Sequence, residues 1–168
     1  MKAELKYGII LGVAISCWMM IAHVLGFYTT NLQAGSYADM AITILPIVFL
    51  FLAILARRRR QGSLTLLQGI TTGMVAILIS YVISGTFLWI YQHYINPNWL
   101  DYVIAFQQSK MTQAGAAASE VNAVADRLRS RNTAMAQFIG GLIGTLVLGF
   151  ILSLIFSVIL RKKPAVSQ

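Results

Sequence analysis

Four long apolar runs leave few folds open to this chain. They fall at about residues 7–28, 40–56, 70–91 and 136–160. At 1.5 Å per residue, roughly 20 helical residues cross a hydrocarbon core about 30 Å thick, and the lower limit is about 17. Inside such a core every backbone polar group needs a partner within the protein, and a helix supplies one for each. Composition agrees. Charged residues make up 11% of the chain and hydrophobic ones 58%, whereas a soluble domain carries about 25% charged residues. Too few polar side chains remain to wet a globule, so lipid must cover much of the surface. The expected fold is all-α: one integral membrane domain over residues 1–168, a four-helix bundle of transmembrane helices. The first run exceeds the apolar core of about 7–15 residues found in a signal peptide, so it is expected to remain as a helix.

The segments between the runs divide by charge. Lys2 and Lys6 precede the first run, Arg57, Arg58, Arg59 and Arg60 follow the second, and Arg161, Lys162 and Lys163 follow the fourth. These three short segments hold nine basic residues and one acid, Glu4. The remaining segments hold Lys110, Arg127, Arg129 and Arg131 against Asp39, Asp101, Glu120 and Asp126. All of the net charge of +8 therefore falls on one side. Basic residues in short loops stay in the cytoplasm, so both termini and the arginine segment are expected on the cytoplasmic side of the membrane. The arginines and Arg161, Lys162 and Lys163 are expected to set topology and to meet anionic lipid headgroups. A basic chain can bind nucleic acid, but here the charges abut apolar spans and no nucleic acid partner is expected.

Residues 29–39 are expected to form a short outer turn, flanked by Tyr28 and Tyr37 at headgroup level. Pro46 should bend the second helix, with Thr43 able to satisfy the carbonyl it frees. Ser63 is a candidate cap for the third helix. Asn96-Pro97-Asn98-Trp99 should end that helix. Residues 98–133 then read as an outer amphipathic hairpin or bent helix, with Leu100, Val103, Ile104 and Met111 on one face. Ser119 is a candidate cap for its second piece, which carries Val121, Val124, Ala125 and Leu128.

Three runs carry glycines four residues apart: Gly8/Gly12, Gly69/Gly73 and Gly140/Gly144. Such pairs let a second backbone approach closely in lipid. They are expected to pack helices within the bundle, each in the cytoplasmic half of its span, with a homodimer face as the alternative.

Residues that could carry chemistry are sparse. His23, His93 and Asp39 fall near the outer ends of the spans, where His23 is expected to pair with Asp39. Their spacing matches no metal motif, and Cys17 is the only cysteine. No metal, cofactor or catalytic residue is expected. Ionisable residues inside spans, which mark transporters, are also lacking.

The basic loop, the glycine-rich third run ending in aromatics, Tyr94-Ile95-Asn96-Pro97-Asn98-Trp99, the closing Leu160-Arg161-Lys162-Lys163 and the opening Leu5-Lys6-Tyr7-Gly8 carry a resemblance. Taken together, the chain resembles the bacterial membrane family called domain of unknown function 4199. That resemblance implies four transmembrane helices in an inner membrane of the Bacteroidota lineage. It brings no catalytic or binding residues. The expected role is a non-enzymatic accessory or assembly subunit of a membrane complex, in contact with lipids and with other membrane subunits or itself. The alternative is a small oligomeric transporter or lipid-binding membrane protein.

Overall fold

Helix α1 (Ala3–Val24) ends four residues before the apolar run does. Gly26 adopts φ +76°, a left-handed conformation that a glycine reaches without steric cost. The Gly26 and Phe27 amides then close on the carbonyls of His23 and Ala22, each at 2.9 Å. This glycine cap satisfies carbonyls the helix would leave open. Phe27 and Tyr28 are thereby released into a turn. The computed structural model describes residues 2–161, so Lys162 and Lys163 lie outside the described residues.

The segment expected as an outer turn is largely helical. The Asn31 side chain accepts from the Ala34 amide at 3.2 Å, a helix N-cap, and α2 (Leu32–Ile42) starts there. It continues into α3 (Ile44–Gln61) with one interruption, at Thr43. Pro46 offers no N–H to the Ile42 carbonyl and crowds it. The Thr43 amide accordingly shifts to the Met40 carbonyl, at 3.3 Å. Its hydroxyl bonds the Asp39 carbonyl at 3.2 Å, not the carbonyl that Pro46 frees. The helical stretch that holds the second apolar run thus extends over Leu32–Gln61, beyond 40–56 at both ends. The four arginines belong to its last helical turns, not to a loop.

Helix α4 (Leu66–Ile90) starts at a capping box in which Thr65 and Gln68 exchange side-chain bonds to backbone amides of 3.3 and 3.0 Å. Thr65 takes the role expected of Ser63, because only Thr65 stands three residues before a glutamine. The helix ends in a π-helical turn, Tyr91–Ile95, closed by the Asn96 amide on the Tyr91 carbonyl at 2.8 Å. Beyond Pro97, α5 (Trp99–Gln113) and α6 (Ala118–Arg131) form the expected hairpin, turning at Gly115. The apolar faces named from the sequence are the shielded ones. Ser119 lies inside α6, after its cap position at Ala117. Helix α7 (Ala134–Leu160) is capped by Thr133.

Among the described residues, four helical stretches are long and apolar enough to cross a membrane: Ala3–Val24, Leu32–Gln61, Leu66–Ile95 and Met135–Leu160. This is a multi-pass membrane protein. In cross-section the bundle is a diamond. Helices α3 and α4 form the short diagonal, and each packs on both α1 and α7, which stand at the far corners. Leu11, Leu50, Ala53, Ala76 and Ile77 fill the centre. Ile54, Leu64 and Leu160 close the end that carries the arginines. The opposite end, rich in tyrosine, carries the turns after α1 and α4 and the start of α7.

Two glycine pairs pack within the bundle. A Cβ on Gly8 would stand 2.6 Å from the Ala76 carbonyl oxygen, and one on Gly12 2.9 Å from that of Ser80. Helix α1 thus lies backbone to backbone on α4. On the other flank of α4, the space left by Gly69 and Gly73 is taken by Ser157 and Ser153 of α7. Both serine hydroxyls are fully buried and have no hydrogen-bond partner among the described residues. Gly149, which the sequence reading passed over, admits Ile77. The third expected pair differs. Among the described residues, nothing stands within 4 Å of a Cβ on Gly140 or Gly144. The pair also lies in the first turns of α7, at the tyrosine end, because this last helix runs towards the arginine end. It is not in the half of the span where it was expected.

Gly8→Leu or Gly73→Leu is expected to abolish the folded species in detergent, because each side chain meets a neighbouring helix. Gly144→Leu should leave thermal unfolding unchanged. Ser153→Ala should be neutral or stabilising, since an unpartnered buried hydroxyl costs about 1–3 kcal/mol. A thermal unfolding series on purified protein checks all four.

Candidate functional site

The two ends of the bundle hold its charged side chains. At the arginine end, four consecutive residues on a helix must point in different directions, because each step turns about 100°. Arg57 turns inward. Its Nη1 donates to the Thr72 hydroxyl at 2.8 Å and to the Gln68 carbonyl at 3.3 Å, and its Nε donates to Gln61 at 3.2 Å. Arg57 therefore ties α3 to α4, a role the sequence did not suggest. Arg60 turns towards the first residues and, with Lys2, Glu4, Arg57 and Gln61, frames a cleft of about 320 Å³. Arg58 and Arg59 flank a second depression with Leu55 and Gly62. Arg161 is exposed after α7.

The tyrosine end gathers residues that are far apart in sequence. Asp39 of α2 is half-buried and its Oδ1 accepts twice, from the Tyr28 hydroxyl at 2.7 Å and from Trp18 Nε1 at 3.2 Å. Burial, and after it the hydrogen bond and charge of Asp39, push the Tyr28 hydroxyl above the ordinary tyrosine range. Tyr28 thus remains the donor in its bond to Asp39. The Tyr28 ring meets the Tyr91 ring edge-on, with centroids 6.1 Å apart. Tyr91 is only 1% exposed. Its hydroxyl lies 2.9 Å from His23 Nδ1 and accepts from Asn96 Nδ2 at 3.0 Å. The same Asn96 amide donates to the Tyr28 carbonyl at 3.3 Å. One polar chain thus joins α1, the following turn, α2 and the end of α4.

The expected His23–Asp39 pair is not formed. His23 is taken by Tyr91, and Asp39 by Tyr28 and Trp18, because the early end of α1 brings Tyr28 back over the bundle. His93 stacks on Trp89, centroids 4.6 Å apart, with Nδ1 2.8 Å from the Trp89 carbonyl oxygen. The sequence named Asp39 and His23 but missed Trp18 and Tyr28 as partners of Asp39, Tyr91 as the partner of His23, and Asn96 as the partner of Tyr91. The π-helical turn that aims Tyr91 and Asn96 at each other leaves no periodic signal. An Asn-Pro step at a helix end was the only hint.

Comparison with known families places the chain. Residues 6–162 match the family model described as a protein of unknown function (DUF4199). The chain belongs to that family. Nothing among curated proteins and nothing among solved structures matches it. The expectation drawn from the resemblance holds for the family and for four transmembrane helices.

Replacing Asp39 tests the polar chain. Asp39→Ala strands the Tyr28 hydroxyl and the Trp18 indole N–H, each left without its partner at a cost of about 1–3 kcal/mol. Asp39→Asn keeps an acceptor and should cost less. The expected readout is a shifted Trp18 emission and a lowered midpoint for alanine, both smaller for asparagine.

Proposed function

We propose that this protein is a non-enzymatic accessory or assembly subunit, held in a bacterial inner membrane with both termini in the cytoplasm. The observation that carries the reading is the uncovered glycine face of α7. Gly8/Gly12 and Gly69/Gly73 each meet a helix of the same chain. Gly140 and Gly144 present the same groove with nothing against it. Helix association in lipid rests on such close approach, since lipid tails are as apolar as leucine. The groove fits a transmembrane helix from outside the chain. Both internal pairs are met by dissimilar surfaces, Ala76 and Ile79 in one case, Ser153 and Ser157 in the other. By that precedent the partner is a different helix rather than a second copy of α7.

The orientation follows from charge. The arginine end joins Lys2, Lys6, the last turns of α3 and Arg161, and the positive-inside rule assigns it to the cytoplasm. Substituting all four arginines with glutamine should loosen or invert the second hairpin, as read by cysteine-accessibility or fusion reporters on each loop. Arg57 alone should also destabilise α3 against α4. A pore through a single chain receives no support from a centre filled by Leu11, Leu50 and Ile77.

The decisive experiment is purification from native membranes in mild detergent, followed by native mass spectrometry. A second protein in fixed stoichiometry is expected, and the Gly140→Leu/Gly144→Leu variant should lose it while keeping its own thermal stability. A homo-oligomer with no other protein would overturn the accessory reading in favour of small-molecule or lipid transport.

A further inference from the structure

A cleft of about 390 Å³ opens at the tyrosine end between α2 and α5. Asp39, Tyr28, Trp99, Phe106 and Lys110 line it. Its size falls in the range of small-ligand sites, roughly 300–1,000 Å³. It carries one carboxylate and one ammonium that do not meet. Among the described residues the one ion pair is Arg129 with Asp101. Asp39 receives neutral donors only, both on Oδ1, and no described donor reaches Oδ2. Lys110 lies over the Phe106 ring, its Nζ 4.7 Å from the centroid, with no acid beside it.

These charges select a ligand class. A half-buried carboxylate without a cation lacks its natural partner, so the cleft attracts a positive group at Asp39. Tyr28 and Trp99 line the same cleft, and aromatic faces favour a cation. A bare cation would be repelled by Lys110, and a bare anion by Asp39. A zwitterion satisfies both. The open acceptor at Oδ2 prefers an ammonium that still carries N–H groups over a quaternary one. Lys110 suits a phosphate, which it binds as a point charge.

The cleft also stands at the right level. Helix α2 opens the span Leu32–Gln61, and α5 begins just beyond the end of the span Leu66–Ile95. Lipid headgroups lie at such a boundary. We propose that the cleft binds a phosphoethanolamine headgroup, its ammonium on Asp39 among the aromatic rings and its phosphate on Lys110. The ligand is either an ethanolamine phospholipid or the free headgroup. This site is independent of the α7 glycine face and stands or falls separately from the accessory reading.

The test is native mass spectrometry and thermal unfolding of the purified protein in detergent. Phosphatidylethanolamine, phosphatidylcholine, phosphatidylglycerol and glycerophosphoethanolamine are added in turn. Phosphatidylethanolamine is expected to be retained roughly tenfold better than the other two lipids, as a hydrogen-bonded charge contact allows. Lys110→Gln, on an exposed side chain, should keep the fold and lower that retention by about the same factor. Asp39→Asn keeps the acceptor for Tyr28 and should erase the preference over phosphatidylcholine. If glycerophosphoethanolamine competes at equal concentration, the ligand is the soluble headgroup; if it does not, the lipid is. Equal retention of all three lipids, or full retention by both variants, would overturn the proposal.

Discussion

Close approach of backbones is the condition on which this structure depends. In lipid no hydrophobic force drives one helix onto another, so contact area and short distances must do so. Helix α4 meets that condition on two flanks by opposite means. Against α1 it offers its own carbonyls at Ala76 and Ser80, and the glycines come from α1. Against α7 it supplies Gly69 and Gly73 and receives two serine side chains. The unpartnered hydroxyls of Ser153 and Ser157 follow from this arrangement. A serine is small enough for the groove, and its oxygen packs there as a small atom rather than as a donor. Arg57 adds a polar tie between α3 and α4 at the arginine end, through Thr72.

Much of this was legible in the chain, for definite reasons. Runs of apolar residues have one stable backbone solution in lipid, so the four helices and the all-α class followed directly. Binary patterning also placed the shielded faces of α5 and α6. Helix ends were less legible. The end of α1 was set four residues too late because Gly26 sits inside an apolar run, where composition conceals a backbone with positive φ. The start of α2 was missed because an Asn31 cap is indistinguishable from an asparagine in a turn until its side chain is seen bonding Ala34. The glycine pairs were found, but their partners were not. A spacing of four identifies a groove and says nothing of which helix fills it.

The polar chain at the tyrosine end was least legible. It assembles Trp18, Tyr28, Asp39, Tyr91 and Asn96 from four separate stretches. Two local events bring them together: the glycine cap after α1, which folds Tyr28 back, and the π-helical turn at Tyr91. That turn links the same two residues twice, through the backbone at 2.8 Å and through their side chains at 3.0 Å. Both events depend on a few residues rather than on any repeating pattern. The cleft beside Asp39 is a product of the same geometry, since α5 leaves the bundle in the direction that this turn sets.

The diamond cross-section has a consequence for valence. With α3 and α4 on the short diagonal, α1 and α7 are the corners furthest apart, and their outer sides face away from each other. A neighbour seated on one flank leaves the other free. The outer sides of α1 and α7 are therefore two separate lipid-level surfaces, and a change made on one does not touch the other.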